Sequence, residues 1–108
     1  MTAQARYVAR VLGRYATLPG TLRRVLRQDR RTALTLYRRG VQLDIVENAF
    51  VLGVARRTFR SDANRLEPIR CLEYFVPVVD ELIQEPPLPE YLDYLKAKLI
   101  TAGALPPA

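Results

Sequence analysis

Arginine is the residue type through which this chain could do chemistry. Arg23, Arg24, Arg27, Arg30, Arg31, Arg38 and Arg39 crowd into one short segment, and Arg6, Arg10 and Arg14 precede them at steps of four. A guanidinium is a planar, permanently charged fork that matches the oxygens of a phosphate. On a helix, Arg23, Arg27, Arg30 and Arg31 fall near one side, at spacings of three and four. Like charges held so close repel one another unless an anion compensates. The matching anion is a nucleic-acid backbone, whose condensed counterions such a surface would displace. The rival source of compensation is the acidic remainder of the chain itself, or of a neighbouring copy. Tyr7, Tyr15 and Tyr37 lie among the arginines. They could stack on unpaired bases, but each also falls close to an apolar stripe, where a tyrosine serves the core.

Other chemistries are poorly supplied. There are no histidines and no tryptophans, one cysteine (Cys71) and one serine (Ser61). His-based triads, His/Cys zinc sites, redox cysteine pairs and a disulfide framework are thereby excluded. Cys71, in an apolar stretch that reads as helical, is expected to be a buried structural thiol. Asp80, Glu81, Glu85, Glu90 and Asp93 cluster near the C-terminus, and paired carboxylates can hold Mg²⁺ or move protons. No phosphate-binding glycine loop or nucleophile elbow accompanies them, so they read as a solvated face. We therefore expect no catalytic residue, no metal site, no cofactor and no enzyme activity.

The elements that must present the arginines read as helices. The 108 residues suit one domain, expected over 1–100 with a frayed tail at 101–108. Residues 1–40 hold ten arginines against a single acid, Asp29, whereas 41–108 hold seven bases against ten acids. The domain is thus basic over 1–40 and neutral to acidic over 41–100. Val8, Val11, Leu12 and Tyr15 give a first helix from about Ala5 to Leu18 its apolar stripe. Pro19-Gly20 breaks it, and Thr21 can cap a second helix carrying Leu22, Val25 and Leu26. Asp29 can cap a third; alternatively one helix runs from Thr21 to Arg39. Gly40 sits where a left-handed residue closes a helix. The most apolar helix follows, to about Phe59, with acids in its first turns and Arg56 and Arg57 in its last. A polar loop over 60–67, a helix opened by Pro68 and kinked at Pro77, and a last helix begun by Pro89 complete an all-α bundle of five or six helices. Tyr91, Leu92, Leu95 and Leu99 are expected to face inward from that last helix.

The stretch from Leu36 through Gly40 to Val46 has the skeleton of a helix–turn–helix. Its second helix would offer Gln42, Asp44, Glu47 and Asn48, two of them acids, to the phosphate-lined walls of a groove. Two helices packed across a glycine turn are therefore expected instead of a major-groove reader.

No apolar run approaches the ~20 residues that span a bilayer, and no secretory signal is visible in the first twenty residues. The expected setting is cytoplasmic and bacterial. Residues from about Thr32 to Leu99 contain RRGVQLDIVENAFVLGVARR, LEPIRCLEYFVPVVDEL and LPEYLDYLKAKL. This region resembles the helical C-terminal regions of replication-initiator or helicase-loader-type proteins of bacterial mobile elements. The resemblance implies a helical module that contacts DNA and other replication proteins. Together these readings predict a small non-enzymatic nucleic-acid-binding protein, with DNA favoured over RNA. Its site would be Arg23, Arg24, Arg27, Arg30, Arg31, Arg38 and Arg39, with further backbone contacts from Arg6, Arg10 and Arg14. The alternative is an adaptor or small helical subunit of a larger, RNA-guided nucleoprotein complex. Such a protein would bind a protein partner, or itself, through apolar helix faces.

Overall fold

The computed structural model describes residues 1–60 and 66–107. Five α-helices follow in order: α1 (Ala3–Thr17), α2 (Arg27–Arg38), α3 (Leu43–Thr58), α4 (Val76–Gln84) and α5 (Pro89–Thr101). A 3-10 turn, Leu72–Phe75, leads into α4. Among the described residues there is no strand, only one isolated parallel bridge between Thr21 and Ile69. The fold is the all-α bundle that the periodicity predicts.

The helix α3 occupies the centre because its sequence leaves it no polar side. Val46 and the whole run from Ala49 to Ala55 are buried, as expected of a helix that is apolar all round. Against it lie α1, α4 and α5, while α2 rests on α1 and on the 3-10 turn. Gly53 marks the tightest approach: a β-carbon there would sit 2.6 Å from Cε1 of Phe75. The Phe75 ring, fully buried, meets Tyr15, Phe50 and Tyr74 edge-on.

The stripe on α1 is as expected, with Val8, Val11, Leu12 and Tyr15 buried. The Thr2 hydroxyl caps it by accepting from the Ala5 amide at 3.0 Å. The next segment departs from expectation. Residues 21–26 form no helix, neither a separate one nor an extension of α2. The Ile69 amide donates to the Gly20 carbonyl (2.7 Å) and the Leu22 amide donates to the Ile69 carbonyl (3.3 Å). Backbone groups that would have built a helical turn are bonded across the fold instead, and Arg23 turns the chain with a φ of 57°. Arg23 and Arg24 therefore stand on a loop and not on the helix face predicted for them.

Asp29 lies inside α2, at its third residue, and is fully buried. One carboxyl oxygen accepts from the Leu26 amide at 2.8 Å, closing the first turn. The other accepts from the Leu72 amide, also at 2.8 Å, which ties the start of α2 to the 3-10 turn. At the far end Gly40, with φ 75°, closes the helix as predicted. The Val41 amide reaches the Leu36 carbonyl (3.1 Å) and that of Gly40 the Tyr37 carbonyl (3.0 Å).

Three further expectations need correcting. Pro68 opens no helix; residues 68–71 are extended or bent and Cys71, only half-buried, has extended backbone. The break foreseen near Pro77 takes the form of the junction between the 3-10 turn and α4, which places Pro77 in the first turn of α4, where it removes no helical bond. Tyr91 faces out, 49% exposed. Beyond α5, Gly103 repeats the left-handed closure (φ 76°), and Ala104 and Leu105 fold back on the Leu99 carbonyl and the core. The chain is thus held further than a tail frayed from Thr101 would be. Most of the polar loop expected at 60–67, with Ser61 in it, lies outside the described residues.

Candidate nucleic-acid interface

All ten N-terminal arginines are exposed, but they divide into two groups by what faces them. Arg10 donates to Glu47 of α3 at 3.1 Å, and Arg14 lies 3.9 Å from the same oxygen. Arg39 bonds Asp80 of α4 at 2.6 Å. These three are held by acids of the same chain, so Arg39, and Arg10 and Arg14 with it, are less available than the sequence suggested. Glu47 belongs to the helix that would read a groove in a helix–turn–helix; it is turned onto α1 instead. In addition, α2 docks on α1 and the 3-10 turn rather than along α3. With Glu47 spent on α1, the stretch presents no groove-reading face, while Leu36, Val41 and Val46 share one buried cluster across the Gly40 turn.

The arginines of α2 are placed differently. Asp29, Ala33 and Leu36 turn inward, and Arg27, Arg31 and Arg38, separated by four and eleven residues, come out on the opposite side. At about 100° per residue these three lie within about 40° of one another, spread over about 16 Å of helix axis. No carboxylate among the described residues comes within 4.0 Å of Arg6, Arg24, Arg27, Arg30, Arg31 or Arg38. The single acid of the first forty residues, Asp29, has both oxygens occupied by backbone amides. Glu73, on the neighbouring turn, accepts from the Thr32 hydroxyl at 3.1 Å. Arg23 adds its charge from the preceding loop, steadied by a bond to the Thr17 carbonyl at 3.3 Å.

One residue escaped the sequence reading. Arg70 is exposed and unpaired among the described residues. It follows Ile69, whose bridge to Thr21 brings this segment beside the loop that carries Arg23 and Arg24. No local signal could have found it, since the pairing spans about half the chain. Arg57 makes no such addition: it donates to the Glu67 carbonyl at 2.9 Å and lies 5.7 Å from the Tyr74 ring centroid.

The tyrosines serve packing first. Tyr15 is fully buried, its hydroxyl without a hydrogen-bond partner among the described residues. Burial, and then the nearby Asp29 and Cys71, pushes that hydroxyl up to about 12. Tyr7 donates to the Val41 carbonyl at 2.8 Å and meets Tyr37 edge-on at 5.2 Å. Burial raises its pKa, with the Arg39 charge pulling the other way. Of the three tyrosines that lie among these arginines in sequence, Tyr7 and Tyr37, both half-buried, reach the surface.

The C-terminal acids do not converge. Asp80 is spent on Arg39, and Glu81 on Arg56, whose two terminal guanidinium nitrogens donate to its two carboxylate oxygens. That hydrogen bonding lowers the pKa of Glu81 and raises that of Arg56. Among the described residues no three side chains are grouped to hold a metal ion, and no helix is long and apolar enough to cross a membrane. No family model, curated protein or solved structure matches this chain.

Proposed function

We propose that this protein binds the phosphate backbone of nucleic acid through the outer face of α2 and the loop before it. The observation that carries this reading is the contrast in pairing. Arg27, Arg31 and Arg38 share one exposed face with no acid on it among the described residues, and the only acid of the first forty residues is sealed inside the fold. A positive field left uncancelled attracts polyanions and steers their approach. The span of about 16 Å equals the rise of roughly five base pairs along a duplex axis. Arg23, Arg24, Arg30 and Arg70 would widen the contact around the start of α2. Nothing in this face resembles a base-reading element, so recognition is of the backbone, with weak sequence preference. The protein acts by binding and not by catalysis. DNA is the favoured ligand, in replication or mobile-element biology; that setting rests on the resemblance of residues 32–99 alone.

The test is binding to single-stranded and duplex DNA and to RNA at two salt concentrations, for the native chain and for Arg27→Glu/Arg31→Glu. The native protein should lose affinity steeply with salt, with a log–log slope near −0.9 per phosphate neutralised on duplex and about −0.7 on single strands. The variant should bind at least about tenfold more weakly, with a slope shallower by roughly two contacts. Equally weak binding by both proteins overturns the reading.

A further inference from the structure

Between α1 and α2 runs an open apolar groove of about 530 Å³. Ala5, Ala9 and Gly13 form its α1 wall, and Val25 and Leu34 its other side, with Arg30 at the edge. Val25 is 40% exposed, a large apolar side chain that the described residues leave partly uncovered. From Gln4 to Ala16 the groove extends about 18 Å along α1, or three helical turns. Its borders are cationic throughout: α1 contains no acid, and the only acid of α2, Asp29, is buried and bonded elsewhere. A helix seated there should be flat and partly apolar, with carboxylates along its edge.

The chain itself carries such a helix on its other flank. The thirteen residues of α5 span about 19 Å and pack on α3, away from α1 and α2. Its outer surface presents Glu90, Asp93, Tyr94 and Ala97, all exposed. Neither Glu90 nor Asp93 has an ion pair among the described residues. Leu88, immediately before the helix, is 72% exposed.

We propose that the α1–α2 groove receives α5 of a second copy of this chain, with Glu90 and Asp93 of one molecule meeting Arg6 and Arg30 of the next. Because the two surfaces lie on different flanks, each contact leaves one groove and one α5 free. The association is head-to-tail and grows past a dimer, as a ring if the rotation between copies closes and as a filament if it does not. A contact made by one helix is small, so it is weak and salt-sensitive. It requires no nucleic acid; it shares Arg30 with the contact proposed around the start of α2, but none of its test substitutions touches Arg27, Arg31 or Arg38.

Sedimentation of the full chain without nucleic acid, from about 10 µM to 1 mM in low salt, tests it; about 0.5 M salt should screen the contact. The average mass should rise with concentration past that of a dimer and return to that of a monomer in high salt. Ala9→Arg fills the groove, and Glu90→Lys/Asp93→Lys reverses the docking edge; each alone should stop growth. Mixed in equal amounts, the two variants should form a one-to-one dimer that grows no further, since only one intact groove and one intact α5 can meet. Ala97→Arg, blocking α5 by size, should repeat the result, and circular dichroism checks that each variant is folded. A native chain that stays monomeric throughout overturns the proposal and leaves the groove to an acidic helix of another protein. Growth untouched by these substitutions, or a mixture that yields no dimer, overturns it equally.

Discussion

The arginines of α1 and those of α2 have the same type and spacing but opposite fates. Arg10 and Arg14 stand one turn apart and converge on Glu47; Arg27 and Arg31 stand one turn apart and meet no acid. What separates them is the neighbour across the groove each faces. The flank of α1 that carries Arg10 and Arg14 lies against α3, whose sequence supplies Glu47, whereas no described carboxylate pairs with the outer face of α2. A charge is free or spent according to the third element in the packing, which helical spacing does not reveal.

The sharpest way to break this contrast is to let α2 turn. Asp29→Ala removes two hydrogen bonds to buried amides, leaving those of Leu26 and Leu72 unsatisfied. At about 1.5–3 kcal/mol for each bond to a charged group, the loss should be about 3–6 kcal/mol. Much of a small domain's stability would go, and urea denaturation should show the midpoint falling accordingly. A smaller effect separates the two helices directly. Arg27→Gln/Arg31→Gln should weaken nucleic-acid binding by about ten- to a hundredfold with stability unchanged, a loss of roughly one salt-slope unit per contact. Arg10→Gln/Arg14→Gln should leave binding within about threefold and lower stability by at most about 1 kcal/mol, the range of exposed ion pairs. Titration and thermal melting of both variants would read this out; equal losses of binding would erase the distinction.

Tyr15, on the inner side of α1, gives the next effect. Its buried hydroxyl has no partner among the described residues, so Tyr15→Phe should raise stability by about 1 kcal/mol at neutral pH. The unfolded tyrosine ionises near 10.0 and the buried one near about 12. Its neutral form thus contributes stability that is complete below pH 10 and is lost as pH rises towards 12. Melting temperatures across that window should fall less steeply for Tyr15→Phe than for the native chain. The smallest effect concerns Glu81, whose pKa Arg56 lowers from 4.5. Its contribution is in place above pH 4.5 and fades as pH falls through the depressed value, so Glu81→Gln should slightly flatten the acid limb of the same melting curve.

Much of this architecture was legible in the sequence. The apolar stripe of α1, the all-apolar α3, the glycine closure at Gly40 and the proline start of α5 are local signals, and each produced its element. Residues 21–26 misled because their stripe of Leu22, Val25 and Leu26 is helical in period, but their backbone is bonded to Ile69. Asp29 was readable as a capping residue, but its second bond, to a residue 43 positions away, was not. Tyr91 fits the period of α5 but lies at the rim of its inner face, where it lines an open pocket with Arg56 and Glu81 and stays half exposed. For the candidate site, composition located the arginines and left their pairing open. Separating Arg39 from Arg38 required knowing that Asp80 arrives beside one and not the other.

The bonds from residues 69 and 72 back to 20–29 also set an order of events. Closing a loop of some forty residues is slow compared with forming a helical turn. The helices α1 and α2 carry the apolar faces that pack on each other, but the segment 20–29, with its arginines, is tied to the rest of the fold by its bonds to Ile69 and Leu72. It becomes a shaped surface only when Ile69 and Leu72 clamp it from behind.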